Sequence, residues 1–172
     1  MSKPSETSTS TGRVAALIAD LGSDSAVTRD RAYHELVSLR RAAVEPLLDA
    51  LRKSTEYGRG QAARALGEIG DPAAAPALIK ALEDPKFDVR WMAVHAVVAL
   101  GRVGLTALLR ALIERPHSAW LREGAHHVIR DEAHAVWSRQ LAPVRKALES
   151  LDPEDAVPVA AENALKALAS TE

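Results

Sequence analysis

The sequence predicts an all-α fold, a right-handed α-solenoid of about ten helices in antiparallel pairs. Three observations predict it. Arginines recur at Arg29, Arg59, Arg90 and Arg122, spaced by 30, 31 and 32 residues. Each is followed three residues later by Ala32, Ala62, Ala93 or Ala125, and seven later by Leu36, Leu66, Val97 or Ile129. A second series, Leu21, Leu51, Leu82, Leu112 and Leu148, closes the runs AALIADL, EPLLDAL, PALIKAL, TALLRAL and APVRKAL. Self-similarity at this period marks stacked helix pairs. Finally, 47% of residues are hydrophobic but only 3% aromatic, so alanine and leucine must fill the space between close-packed helices.

Each element follows from local chemistry. Residues 1–12 are Ser/Thr-rich and read as a disordered polar tail, because they offer too little apolar surface to offset ordering entropy. The repeat domain is expected over 13–172. Its best unit runs from Arg59 to Arg90. Ala62, Ala63, Leu66 and Ile69 share one helical face, and Gly70-Asp71-Pro72 ends that helix. Ala77, Leu78, Ala81 and Leu82 share the next face, Asp84-Pro85 breaks it, and Asp88 suits a helix start. Alternating first (A) and second (B) helices are expected at 13–21 (B), 28–40 (A), 43–53 (B), 58–69 (A), 73–83 (B), 88–100 (A), 103–114 (B), 119–135 (A), 138–150 (B) and 155–169 (A). The last is a fifth A copy from Pro158, with Ala161 and Leu165 at the landmark offsets and Ser170-Thr171-Glu172 as a short exposed end.

Composition narrows the function classes. The formal net charge is −1, which disfavours nucleic acid and anionic membrane as partners. Without cysteine there is no disulfide, thiolate metal site or Cys nucleophile. The polar start lacks a secretory signal, and no apolar run approaches the ~20 residues that span a bilayer, so a cytoplasmic location is expected. No phosphate loop, Ser-His-Asp signature, HExxH or EF-hand loop is present.

The pattern D-x-x-V-R-x-x-A-x-x-A-L-G-x-I-G-D-P-x-A-x-P-x-L-x-x-A-L is nearly complete between Gly58 and Leu82, and recurs in DPKFDVRWMAVHAVVALG. It resembles the HEAT repeat family, more narrowly the short bacterial HEAT-like repeats of phycobilin lyases. The resemblance covers about residues 13–169 and implies the fold; such arrays serve many partners. Deoxyhypusine hydroxylase is a similar array that holds di-iron with His-Glu pairs after the helix-A arginine. Here those positions are Asp30-Arg31, Gly60-Gln61, Trp91-Met92 and Glu123-Gly124, and the lone pair His34-Glu35 stands elsewhere. No motif separates a lyase from a generic array.

Three places carry candidate function. The fourth repeat is lengthened within RDEAHAVWSRQ, read as one more helical turn. At 100° per residue, Glu123, His127, Asp131 and His134 share a stripe opposite a core face that includes Ala133 and Val136. His127, Asp131 and His134 are the metal candidates, although about two turns part the outer pair. The alternative is a solvated polar face. Next, Trp91 and His95 stand opposite the core of their helix, beside Arg64, with Gly60 and Gly67, on one side and His127 on the other. That predicts a glycine-floored partner patch flanked by Trp120 and Trp137; ordinary packing is the alternative. Last, Lys80, Arg110 and Lys146 stand in register on the B helices as a ridge for an acidic peptide or phosphate, with an exposed salt-bridge ladder as the alternative. The expected function is a non-catalytic protein-interaction scaffold without cofactor, binding a protein partner or a second copy. The alternative is a lyase-like or metal-dependent ligand-handling protein using the His-rich fourth repeat.

Overall fold

The computed structural model describes residues 6–170. Ten α-helices lie among them: α1 (Glu6–Asp20), α2 (Ala26–Ser38), α3 (Arg41–Lys53), α4 (Glu56–Ile69), α5 (Ala75–Ala81), α6 (Phe87–Ala99), α7 (Arg102–Glu114), α8 (Ala119–Arg130), α9 (Ser138–Leu148) and α10 (Pro153–Ala169). Two 3-10 segments, Pro72–Ala74 and Glu132–Trp137, lead into α5 and α9. No strand occurs among the described residues.

Local signals set the boundaries. Ser25, Thr55 and Ser118 accept backbone N–H groups at the starts of α2, α4 and α8. Gly70 ends α4 in the left-handed conformation, at φ 73°. At the turn into α7, Gly101 takes φ 56° and ψ −129°. Arg40 holds nearly the same angles, φ 53° and ψ −129°, at the equivalent turn into α3. A Cβ is strained in that region, so the first repeat carries a cost that glycine removes from the third.

Helices α2, α4, α6 and α8 stack side by side as the A row; α1, α3, α5 and α7 form the B row. Their inward faces make one continuous core from Leu17 to Leu168. The closest approach is between α4 and α6: a Cβ on Gly67 would lie 2.6 Å from the Ala96 Cα. Gly67 is therefore a packing residue, not part of a surface floor, and Gly60 is buried beside Met92.

The recurring arginine fastens each turn to the next. Its guanidinium reaches back five or six residues to a turn carbonyl: Arg29 to Ser23 (2.7 Å), Arg59 to Ser54 (3.1 Å), Arg90 to Asp84 (3.0 Å) and Arg122 to Pro116. It also reaches forward, and the forward partner alternates. Arg29 lies over the Tyr57 ring and Arg90 over Trp120, at 4.8 and 4.9 Å. Arg59 instead forks onto Asp84 (2.8 and 2.9 Å), and Arg122 meets Glu154 at 3.5 Å. Burial works to raise the Asp84 carboxyl, but the Arg59 guanidinium and the Lys86 amide outweigh it and hold it below the usual carboxylate range.

Four expectations need correction. Residues 6–12, expected in the tail, form the first turns of α1; residues 1–5 lie outside the described residues, as do Thr171 and Glu172. The added residues of repeat four do not lengthen helix A. Asp131 leaves the helical region (ψ 140°), and its Oδ1 accepts the Ala133 N–H at 2.9 Å, which starts the 3-10 segment. Val136, expected in the core, is 75% exposed. Finally, α10 does not continue the A row. It packs along both α7 and α9, and Arg102 of α7 donates to the Leu168 carbonyl at 2.8 Å.

Candidate functional site

The most built surface feature lies where α6 and α8 face each other on the outside of the A row. Phe87, Arg90, Trp91 and Val94 occur at i, i+3, i+4 and i+7 on α6, and Trp120, Glu123, Gly124 and His127 repeat that spacing on α8. These eight residues line one cleft floored by Leu82. Gly124 lets α8 close onto that floor, since a Cβ there would meet Leu82 Cδ2 at 3.2 Å. Phe87 stacks on Trp91, with ring centroids 6.2 Å apart. His95 and His127 meet Trp91 edge-on at 4.9 and 5.3 Å. Arg90 is held between the Phe87 and Trp120 rings. Glu123 is exposed and makes no hydrogen bond or ion pair among the described residues.

The cleft's cavity volume is only about 20 Å³, room for a water molecule rather than a cofactor. Its character lies in its walls: Phe87, Trp91 and Trp120 are all large apolar side chains at least 36% exposed. The walls are thus aromatic, held against one another and partly open to solvent.

The structure thus brings together Trp91, His95 and His127, and adds Phe87, Arg90 and Glu123. Phe87 was legible as the residue one turn before Trp91; the position of Arg90 was hidden behind its role as a repeat landmark. Arg64 is elsewhere. It covers the Tyr33 ring at 3.9 Å, and the Tyr33 hydroxyl donates to Glu68 at 3.3 Å. Burial raises the Tyr33 phenol, with Arg64 opposing and Glu68 assisting. Trp137 does not flank the patch but packs on His134, at 5.6 Å.

The metal candidates do not converge. His134 is 1% exposed, and its Nδ1–H donates to the Val128 carbonyl at 2.8 Å, so the ring latches the 3-10 segment onto α8. Asp131 caps that segment, and His127 stands at the Trp91 cleft. Among the described residues no group of three His, Asp or Glu side chains is placed to hold a metal ion. The stripe fails because the helix carrying it stops at Arg130.

The basic ridge is reduced to a pair. Lys80 and Arg110 line an open groove between α5 and α7, about 520 Å³ in volume, with Pro76, Ile79 and Ala107. Neither cation makes a hydrogen bond or ion pair among the described residues. Lys146 belongs to α9, and α10 lies between α9 and α7.

The family model for HEAT repeats matches residues 44–130, half of the chain. Phycocyanobilin lyase subunit alpha from Picosynechococcus sp. is 30% identical over 119 residues, which cover 64% of this chain and 44% of that protein. The chain therefore spans less than half the length of this curated relative. The crystal structure of an engineered protein, 22% identical, aligns with a TM-score of 0.45 over 92% of this chain and 80% of its own. No helix among the described residues is long and apolar enough to cross a membrane.

Proposed function

We propose that this chain, which belongs to the HEAT repeat family, is a non-catalytic protein-binding module that docks a partner on the α6–α8 cleft. One observation carries the reading: two facing helical stripes present Phe87, Trp91 and Trp120 to solvent around a cleft too small for a cofactor. The anchor residues are Trp91, Trp120, Phe87 and His127, with His95 at the margin. The Lys80/Arg110 groove is a second, weaker contact surface. A cytoplasmic location goes with this reading.

Quantitative affinity capture from a cell extract tests it, with wild type compared against Trp120→Ala and His127→Ala. A protein partner, or a second copy seen by native mass spectrometry, should be retained by wild type. It should be depleted about tenfold or more on the variants, as expected of interface anchors. Equal retention by all three would sink the proposal. Trp91→Ala is the less clean probe, because Trp91 is only 36% exposed and also packs.

Likeness to a phycocyanobilin lyase subunit favours a second reading, that the chain handles a bilin alone or with a further subunit. The open α5–α7 groove supports it in size. Titration with phycocyanobilin decides: saturable, one-to-one change in visible absorbance favours this reading, and an unchanged spectrum removes it.

A further inference from the structure

The A helices run parallel, so their first turns lie along one edge of the array, and that edge carries a second periodic feature. Each inter-repeat turn carries an exposed large apolar side chain: Val27, Tyr57, Phe87 and Trp120 in the first turn of an A helix, and Leu151 just before α10. Leu151 is 99% exposed. The forward-reaching arginines join the row, Arg29 over Tyr57 and Arg90 over both Phe87 and Trp120. Although α10 leaves the A row, its first turn stays at this edge, because Glu154 meets both His117 and Arg122.

The same edge is acidic. The five turns (residues 22–30, 54–59, 83–90, 114–122 and 149–155) hold eleven Asp and Glu against six Lys and Arg. That is an excess of five negative charges in a chain whose formal net charge is −1. All six cations are already engaged: the four landmark arginines in the turns, Lys86 with Glu56, and Arg115 with Glu83. Asp24, Asp88, Asp152 and Asp155 have side chains without a partner among the described residues. A surface with one apolar residue per repeat and spare carboxylates between them is complementary to a basic, amphipathic chain. It repels an acidic one.

We infer that the inter-repeat edge is a docking strip for a partner's basic amphipathic helix. It extends the binding reading above, since Phe87 and Trp120 belong to both surfaces. The spacing fits: packed helices lie ~8–10 Å apart, and a helix rises ~10 Å in seven residues. Apolar residues at every seventh position therefore meet successive turns, with Lys or Arg beside them facing the carboxylates.

The test measures fluorescence anisotropy of a labelled synthetic peptide with leucine at every seventh position and flanking lysines. Its glutamate counterpart and phosphatidylglycerol vesicles are run in parallel. Wild type should bind the lysine peptide, bind the glutamate peptide at least tenfold more weakly, and lose affinity as salt rises. The double variant Val27→Ser/Leu151→Ser, in exposed positions outside the α6–α8 cleft and outside the arginine contacts, should weaken the lysine peptide about tenfold with its circular dichroism melt unchanged. Equal binding of both peptides, no binding of either, vesicle binding without peptide binding, or an unaffected double variant each overturns the proposal. Failure there, with Trp120→Ala and His127→Ala still depleting the captured partner, would leave the cleft reading intact and remove only the strip.

Discussion

Repeats two and three, α4 to α7, and the C-terminal region from α8 to α10 begin from the same landmark residues and diverge in how they pack. In the former, glycine against alanine brings α4 and α6 together, and each helix meets its counterpart one repeat away. In the latter, an aspartate interrupts the chain after α8, a buried histidine latches a 3-10 segment, and α10 takes the place beside α7 that a regular array gives to the next B helix. Matching residues fix what a helix is. What it lies against is fixed by the shape of the connection before it.

The comparison can be broken most severely at the regular fastening. Asp84 is nearly buried and forked by Arg59, so Asp84→Ala should cost about 3 kcal/mol in urea unfolding, because the arginine loses its carboxylate and keeps only the Ser54 carbonyl. The pH dependence has a definite sign. The folded-state carboxyl lies below its ordinary value, so its contribution is complete above the unfolded carboxylate range. It is lost as pH falls through the lower, folded value. Wild type should therefore lose stability in that acid window more steeply than Asp84→Ala.

Next in size is the helix contact. Gly67→Ala gains up to ~1 kcal/mol in helix propensity, but its Cβ meets backbone, so a net loss of about 1–3 kcal/mol is expected from thermal melts. The irregular region should respond locally. His134→Ala removes one buried hydrogen bond, about 1 kcal/mol, and should speed hydrogen exchange in residues 131–137 while leaving α4–α6 unchanged. The smallest effect has the opposite sign. Arg40→Gly should raise stability by up to ~1 kcal/mol, giving the first repeat the turn that Gly101 gives the third.

The helix pairs were legible because their landmarks are local: the Ala and Leu stripes, Gly70-Asp71-Pro72, and the capping serines all act within a few residues. The Trp91, His95 and His127 neighbourhood was legible because two adjacent repeats share one phase. The 3-10 segment was not, since RDEAHAVWSRQ contains no glycine or proline to announce a break, and a stripe drawn at 100° per residue runs through Asp131 unchecked. A signal existed in the Asp131 cap and in the His134/Trp137 pair, which follows a period of three. The place of α10 was illegible for another reason. Val157, Ala160, Ala161, Ala164 and Leu168 predict a buried stripe, and the same stripe suits either row.

The alternating forward reach of the arginines gives the array two kinds of joint. Joints made by Arg59 with Asp84 and by Arg122 with Glu154 depend on ionised carboxylates. Those made by Arg29 on Tyr57 and Arg90 on Trp120 rest on aromatic faces that do not titrate in acid. Acid should therefore release the arginine clasp at every second joint; at the Arg90–Trp120 joint it takes the neighbouring Glu83–Arg115 pair and leaves the arginine on its ring. Between α4 and α6 the close contact of Gly67 with Ala96 remains once that clasp is gone, so the array carries its acid-sensitive fastening where its packing is tightest.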